Sequence, residues 1–296
     1  IVSKNTYEIA WSKIQKLGID DYFLYPAINW GRKSHSLEKI ANELNINIDT
    51  FAVIDDSAFE RKEIKSRFPQ VRVFDAIDIG EILNLDEFNI KVSDESKLRR
   101  KKYIDESKRK IIEDSYGDDY YDFLKTCELN IQIKNIFDKK NKLRCLELIQ
   151  RSNQYNLSTT RYSNEEFNVL IENPKYLKYS IQVSDKFGDY GIVGFVSIQV
   201  SGQYYKITDF VLSCRVAQKM IEETFILWLG KNIGPKAELE IKGYKTKRNS
   251  PLIKTIKNIG LNIIEDSETI IILKNKTSDS VFQKSSFINI ELLNDK

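Results

Sequence analysis

The feature that most constrains the fold is a short apolar run, Phe51-Ala-Val-Ile54, that ends directly in Asp55 and Asp56. An uninterrupted run of this length suits a parallel strand covered by helices on both faces. The segment before it carries apolar residues at the spacing of an amphipathic helix, at Leu37, Ile40, Ala41 and Leu44. Strand and helix patterns alternate in this way up to about residue 90, which predicts an α/β domain over residues 1–90.

The rest of the chain divides into three parts. Residues 91–126 are strongly charged, with nine basic and four acidic side chains over positions 91–110 and five acidic ones over positions 113–122, and we expect a helical connector with a solvated surface. Residues 127–276 indicate an α+β domain, with strands at 179–183, 191–200 and 204–212 and a long helix at 216–233. Residues 277–296 read as a polar tail that ends in an extra edge strand.

The composition narrows the classes of function. With 46 basic and 43 acidic residues the net charge is +3, so we expect no nucleic-acid partner. No apolar stretch reaches the roughly 18 residues that span a bilayer, so no membrane partner is expected. The single histidine, His35, disfavours a histidine-ligated zinc site. Three widely spaced cysteines form no disulfide framework and predict a reduced, cytoplasmic protein.

A first candidate site follows the apolar run. Ligands of open α/β sheets bind beyond the carboxyl ends of the strands, where Asp55 and Asp56 fall. This pair suits Mg²⁺, which prefers hard oxygen ligands, but an aspartate there can equally cap the next helix. Ser3 and Lys33 lie near other strand ends, and a hydroxyl, a lysine and two carboxylates together can hold a phosphate and its metal.

A second candidate is Cys214, which lies where the third strand gives way to the long helix. The positive end of a helix dipole and the neighbouring Arg215 both favour a thiolate, so we expect a lowered thiol pKa. Such a cysteine suits nucleophilic catalysis. The alternative is an inert buried residue, because free cysteines are among the most buried side chains.

The order of Ser3, Lys33 and the Asp55–Asp56 pair resembles motifs two to four of the haloacid dehalogenase (HAD)-like phosphatases. Ile1-Val-Ser-Lys-Asn5 and the segment 51–61 are similar to the FkbH-like branch of that superfamily. The resemblance implies that Ser3 and Lys33 contact a phosphoryl group and that Asp55 and Asp56 bind Mg²⁺. The motif with the attacking aspartate is expected upstream of Ser3, so we expect a truncated HAD-like parallel α/β domain.

The C-terminal part also resembles FkbH-like proteins and implies a GNAT-like α+β acyltransferase-type domain. The matching segments are 150–157, 160–162, 184–191, 212–216 with its Ser-Cys-Arg-Val signature, and 243–249. Within them, Arg161 is expected to pair with a phosphate or carboxylate. Asp185 is expected either to orient a base or donor or to shape a turn, Asp189 mainly to shape the turn, and Asn153 is a further polar candidate.

The resemblance implies that a three-carbon glyceryl unit moves from 1,3-bisphosphoglycerate to an acyl carrier protein, with loss of phosphate. Cys214 is then the acyl-accepting nucleophile, with Asp185 and Arg161 beside it, and phosphopantetheine arrives on the carrier protein. Residues 217–220 lack the glycines that usually let this fold cradle a pyrophosphate, which disfavours free coenzyme A. The alternatives are a Mg²⁺-dependent HAD-like phosphatase and a non-catalytic carrier-protein docking module.

Overall fold

A computed structural model describes residues 1–44, 46–86, 88, 97–117, 119–136, 139–152 and 154–293. The chain divides into two compact units, Ile1–Ser107 and Lys108–Lys296. The first unit contains helices α1 (Tyr7–Lys16), α2 (Lys33–Leu44), α3 (Ala58–Arg67) and α4 (Ile79–Ile82), and strands β1 (Val2–Ser3), β2 (Ala27–Ile28), β3 (Ala52–Asp55) and β4 (Arg72–Asp75). Helix α5 (Arg99–Ser115) crosses the boundary between the units.

The first unit has parallel strands flanked by helices, as the alternating pattern predicts. Strand β1 pairs with β2 and β3 pairs with β4, both in parallel. Leu37, Ile64 and Val71 are buried in one core with apolar residues from both sheets. The parallel strands and their helices are therefore as expected, while the HAD-like assignment stays a prediction.

The second unit is built on one large mixed sheet. Its helices are α6 (Tyr120–Thr126), α7 (Lys139–Arg151), α8 (Asn164–Glu172), α9 (Ile221–Asn232) and α10 (Ser250–Asn258). Its strands are β5 (Asn130–Asn135), β6 (Tyr176–Asp185), β7 (Gly188–Ser201), β8 (Tyr204–Leu212), β9 (Glu238–Tyr244), β10 (Ile263–Asp266), β11 (Ile270–Lys276) and β12 (Asn289–Leu293). The strand order is β10-β11-β9-β8-β7-β6-β5-β12. This confirms a mixed α/β architecture with a large sheet.

The antiparallel pairing of neighbouring strands is interrupted by the parallel pair β8–β9. These two strands are parallel, whereas β8 is antiparallel to β7 and β9 is antiparallel to β11. The parallel register runs only from Tyr204 opposite Glu238 to Ile207 opposite Ile241. Beyond that point the two strands no longer pair with each other.

The chain itself fills the space where β8 and β9 part. Leu157 N–H donates to the carbonyl of Phe210 in β8 at 3.0 Å, and Tyr244 N–H in β9 donates to the carbonyl of Leu157 at 2.9 Å. Leu212 N–H donates to the carbonyl of Tyr155 at 2.8 Å. These hydrogen bonds fix the segment 155–157 against the carboxyl end of β8. That end, Leu212, lies two residues before Cys214 in the sequence.

The long helix begins later than the sequence predicts. Helix α9 starts at Ile221 rather than at residue 216, and a short 3₁₀ helix, Cys214–Val216, precedes it. Gln218 and Met220 have φ angles of 62° and 59°. Left-handed residues cannot continue a right-handed helix. These two backbone conformations therefore delay the start of α9, and the spacing of apolar residues does not reveal them.

The C-terminal segment belongs to the sheet and its core. Strand β12 pairs in parallel with β5 at one edge of the sheet, where the sequence predicts an extra edge strand. Phe282, from the 3₁₀ helix Ser280–Gln283, is fully buried against the core that includes α9. The C-terminal segment, expected as a polar tail, therefore contributes a buried apolar side chain to the core.

We expect Gly230→Ala to destabilise the second unit by about 1–2 kcal/mol. A Cβ at Gly230 would lie 2.1 Å from Phe282 Cδ1 and 2.4 Å from its Cε1, and overpacking costs about 1–3 kcal/mol. That cost outweighs the gain of about 1 kcal/mol that alanine brings to a helix. Urea denaturation measures the loss.

The control for that substitution is Gly80→Ala in α4, where an added Cβ has no neighbour within 4 Å. This variant should be at least as stable as the wild type. Equal stability of Gly230→Ala and the wild type would contradict the packing of Phe282 on α9.

Two expectations concern the surface and the connector. Across the described part of the chain, no helix combines the length and apolarity needed to cross a bilayer. In the charged stretch, residues 91–96 and 118 lie outside the described residues, and much of the remainder forms α5 and α6. Its surface is not wholly solvated, because Arg109 is only 3% exposed.

Candidate functional site around Cys214

Cys214 is the exposed residue among the three cysteines. It directly follows the end of β8 and opens the 3₁₀ helix that leads toward α9. Cys214 is exposed, whereas Cys127 and Cys145 are buried. The alternative of an inert buried residue therefore fits the other two cysteines and not Cys214.

The expected lowering of the Cys214 pKa is wrong. Desolvation of the thiol by nearby protein atoms raises its pKa, although the residue as a whole is exposed. The charge of Arg215 and a backbone hydrogen bond oppose this rise without reversing it. Because α9 begins only at Ile221, the cysteine does not lie in the first turn, where a helix dipole acts most strongly. The thiolate form of Cys214 is therefore disfavoured.

Glu222, which the sequence analysis did not single out, is a buried acid near this loop. It lies in the first turn of α9 and is 0% exposed. Within the described structure, neither of its carboxylate oxygens has a hydrogen-bond partner. Burial raises the pKa of Glu222 to about 7, with a smaller contribution from the charge of Glu223. A carboxyl group whose pKa lies this close to neutral pH is a candidate general acid or base.

Tyr155 is a second buried polar side chain beside the end of β8. It is 4% exposed and belongs to the segment fixed against β8. Burial, with smaller contributions from the charges of Glu222 and Cys214, raises the pKa of Tyr155 to about 12. The phenol is therefore protonated at neutral pH.

The raised pKa of Glu222 predicts a stability that depends on pH. The unfolded carboxyl ionises near its ordinary value of 4.5, the folded one at about 7. The folded state therefore holds the proton longer, and stability falls as pH rises from about 4.5 to about 7, by about 3 kcal/mol in all. Urea titrations across this range should show the fall in the wild type. It should be largely absent in Glu222→Gln, and an equal fall in that variant would contradict the assignment.

Asp185, a predicted catalytic residue, lies in a buried ion pair. Arg109 Nε donates to its Oδ2 at 2.6 Å and Arg109 Nη2 to its Oδ1 at 2.9 Å. Tyr190 Oη donates to Oδ2 at 2.9 Å, and the backbone N–H groups of Phe187 and Gly188 donate to Oδ1. With its side chain 1% exposed, Asp185 shapes the β6–β7 turn and is not free to act on a substrate.

Arg161, the other predicted catalytic residue, contacts the end of α7. Its Nη1 donates to the carbonyl of Ile149 at 2.7 Å and its Nη2 to that of Ser152 at 2.6 Å. Basic side chains often bind the last carbonyls of a helix in this way. Arg161 is nevertheless exposed, so pairing with an anionic substrate stays a prediction.

Two polar candidates of the second unit remain, Asp189 and Asn153. Asp189 accepts hydrogen bonds from Gly191 N–H at 2.6 Å and from Gln182 Nε2 at 3.1 Å, which is the expected turn role. Asn153 lies outside the described residues.

In the first unit, the predicted site residues come together only in part. Lys33, the first residue of α2, places its Nζ 2.5 Å from Asp55 Oδ2 in a largely buried pair. Asp55 Oδ1 accepts a hydrogen bond from Ser57 N–H at 3.0 Å. Asp56 is exposed, and Ser3 ends β1. Neither aspartate caps α3, because Ser57 is the cap and accepts from Glu60 N–H.

These residues do not fit Mg²⁺ on their own. Mg²⁺ requires a near-octahedral shell of oxygens, and both oxygens of Asp55 already contact donors from Lys33 and Ser57. No group of three or more acidic, histidine or cysteine side chains suited to a metal occurs in the described ranges. Magnesium binding by Asp55 and Asp56 therefore stays a prediction.

A cleft in the first unit lies apart from these residues. It has a volume of about 520 Å³ and is lined by Lys4, Arg32, Phe59, Glu63, Ser66 and Arg67. Two of its cations are already paired, Lys4 with Glu60 at 2.7 Å and Arg67 with Glu38 at 2.6 Å. The predicted phosphate ligands Ser3 and Lys33 are not among the lining residues.

No family model matches the sequence, and no curated protein matches it. Among solved structures, the chain is similar to the ribosomal-protein-S18-alanine N-acetyltransferase from Escherichia coli, with a TM-score of 0.38 and 12% identity over 50% of this chain and 95% of that one. It is similar to the PaiA N-acetyltransferase from Thermoplasma acidophilum in complex with coenzyme A, with a TM-score of 0.37 and 16% identity over 50% and 99%. It is also similar to the N-acetyltransferase PseH from Campylobacter jejuni, with a TM-score of 0.33 and 12% identity over 49% and 97%. These neighbours assign the chain to no family, and the GNAT-like assignment stays a prediction.

Proposed function

We propose that the second unit transfers an acyl group through the thiol of Cys214. The observation that carries this proposal is the exposed Cys214 directly after the end of β8, beside Arg215, whose charge favours the thiolate. A cysteine thiol is a common nucleophile in covalent acyl transfer. Other arrangements of the sequence-predicted residues fit less well, because Asp185 is held by Arg109.

The finer proposal, drawn from the resemblance to FkbH-like proteins, is glyceryl transfer from 1,3-bisphosphoglycerate to an acyl carrier protein. The Cys214 sulfur attacks the carbonyl carbon of the acyl phosphate and forms an S–C bond. The bond between that carbon and the phosphate oxygen breaks, phosphate leaves with the electron pair, and the thiol proton is released to the leaving phosphate. The phosphopantetheine thiol next attacks the thioester carbon and gives up its proton, and the Cys214 sulfur leaves and is reprotonated.

A carrier-bound donor or acceptor suits this loop better than free coenzyme A. Gln218 and Met220 have side chains at two left-handed positions that favour glycine. Their side chains make the backbone amides of residues 217–220 less open to a pyrophosphate. A phosphopantetheine arm held mainly at its thiol end needs no such cradle.

The first unit is proposed to contribute to phosphate handling through Ser3 and Lys33. Lys33 lies against Asp55, so an incoming phosphoryl group has to compete with that carboxylate for the ammonium. Asp55 and Asp56 would serve Mg²⁺ only if further oxygen ligands complete the shell.

The test is an incubation of the full chain with 1,3-bisphosphoglycerate, Mg²⁺ and a phosphopantetheine-loaded carrier protein, read by intact mass. We expect the carrier to gain a glyceryl mass while inorganic phosphate is released. Phosphate release without carrier loading would instead favour a phosphatase, and carrier binding without either reaction would favour a docking module. Mg²⁺-dependent release that is unchanged in Asp55→Asn would reject a metal role for Asp55.

A further inference from the structure

We propose that Lys247, Arg248 and Lys254 form a docking surface for the acidic face of a phosphopantetheine-loaded carrier protein. These three residues, which we call the basic patch, lie in the loop that joins β9 to α10 and in α10 itself. The assignment rests on the proposed acyl transfer for its biological use, because it names the surface that would bring the carrier to Cys214. The docking itself can be measured without any acyl donor.

The first support is the local charge. Residues 241–264 contain six basic and no acidic side chains, although the whole chain has a net charge of only +3. Two of the six, Lys245 and Lys257, are paired with Asp266. The three residues of the basic patch are exposed, and their side chains have no hydrogen-bond or ion-pair partner among the described residues. Their charges are therefore available to a partner.

The second support is the fixed backbone of the loop. Asn249 is 0% exposed, and its Oδ1 accepts a hydrogen bond from Thr246 N–H at 2.8 Å. Asn249 N–H donates to Thr246 Oγ1 at 3.1 Å, and Asn249 Nδ2 donates to the carbonyl of Tyr244 at 2.7 Å. Both loop residues of the basic patch lie between Thr246 and Asn249. Their backbone is therefore ordered before a partner arrives, which lowers the entropic cost of binding.

The third support is the position of this loop relative to Cys214. Strands β8 and β9 are parallel, so their carboxyl ends lie at the same end of the sheet. Cys214 follows the carboxyl end of β8, and the loop with the basic patch follows that of β9.

The segment 155–157 joins these two strand ends. Leu157 is hydrogen-bonded to Phe210 in β8 and to Tyr244 in β9, which places the two backbones about 10 Å apart, or two strand spacings. Asn249 Nδ2 also donates to the carbonyl of Asn156 at 3.0 Å. The loop that contains the basic patch is thereby tied to the same end of the sheet as Cys214.

The chemistry of the arm indicates the occupant. Phosphopantetheine is joined to a carrier protein through a phosphate group, so a loaded carrier brings negative charge to the surface around Cys214. Residues 217–220 are poorly suited to receive that phosphate, because Gln218 and Met220 have side chains at left-handed positions. The basic patch supplies positive charge at the same end of the sheet. Matching charged surfaces steer association and fix the orientation of the partner, here with the arm directed to Cys214.

The test is the affinity of the full chain for a fluorescently labelled acyl carrier protein of net negative charge, loaded with phosphopantetheine and followed by anisotropy. The wild-type affinity should fall between about 50 mM and about 300 mM salt, because salt screens exposed charges. The triple variant Lys247→Glu/Arg248→Glu/Lys254→Glu should bind about tenfold or more weakly at the lower salt concentration. Since all three side chains are exposed, the variant should keep its fold.

The matched control is Lys175→Glu/Lys236→Glu/Lys276→Glu, which makes the same change in net charge at three exposed lysines. These lysines lie at the opposite end of the sheet, just before β6 and β9 and at the end of β11, which is antiparallel to β9. The control should bind the carrier within about twofold of the wild type. An equal loss in both triple variants overturns the proposal, because net charge alone would then explain the binding.

Carrier binding that neither salt nor the basic patch affects also overturns it. So does patch-dependent binding of duplex DNA or of phosphatidylglycerol vesicles that is tighter than carrier binding, since the surface would then belong to another class of partner. Patch-dependent carrier binding without glyceryl transfer would reject the proposed function and leave the docking surface standing. A glyceryl adduct on Cys214 in a wild-type chain that binds no carrier would reject the docking surface alone.

Discussion

Asp185→Ala is expected to destabilise the second unit by about 3–5 kcal/mol, because it leaves a buried guanidinium without its carboxylate. Arg109 is 3% exposed and donates two hydrogen bonds to Asp185. Its guanidinium also lies 4.0 Å from the ring centroid of Tyr190, so it cannot reach water without disturbing the turn. The backbone N–H groups of Phe187 and Gly188 would also lose Asp185 Oδ1 as their acceptor, which adds to the loss of stability.

Urea denaturation of the purified chain measures this effect, and Asp189→Ala is the matched control. Asp189 occupies the same hairpin but is exposed, so its replacement should cost less than about 1 kcal/mol. A stable Asp185→Ala variant that has lost transfer activity would contradict the structural role and restore Asp185 as a catalytic candidate.

Cys214→Ala is expected to abolish carrier loading, with a loss of at least a hundredfold, while the fold is kept. The residue is exposed, so its removal creates no cavity in the core. A transfer route through a thioester has no substitute nucleophile here, because Cys127 and Cys145 are buried. Donor-dependent phosphate release that requires the thioester should fall in parallel.

Cys145→Ala is the control for that loss. Cys145 lies in α7, is 0% exposed and packs in one core with Phe167 and Phe195, so its replacement should lower stability and leave transfer intact under native conditions. Carrier loading by Cys214→Ala at the wild-type rate would mean that the acyl group moves directly between donor and carrier.

Local patterns in the sequence identify much of the fold. The run at 51–54 coincides closely with β3, and the apolar spacing at 37–44 lies within α2. Strands predicted at 179–183, 191–200 and 204–212 fall within β6, β7 and β8. These elements are recoverable because each has its own periodicity and its own turn residues.

The candidate site depends more on contacts between distant residues. Arg109 and Asp185 lie 76 positions apart, so no local pattern reveals that Asp185 is already occupied. Glu222 looks like an ordinary acid in the first turn of a helix, where negative charge is favourable and commonly exposed. The available signal was its position within a strongly apolar helix, and only packing shows that it is buried. The left-handed Gln218 and Met220 likewise moved the helix start away from Cys214.

The most direct test of acyl transfer through Cys214 is the mass of the tryptic peptide that contains this residue, measured after brief incubation with labelled 1,3-bisphosphoglycerate in the absence of carrier protein. We expect a glyceryl adduct on that peptide that hydroxylamine cleaves, as it cleaves a thioester. The adduct should be lost when phosphopantetheine-loaded carrier is added. A full-length chain that releases phosphate or loads the carrier without ever forming this adduct would contradict acyl transfer through Cys214.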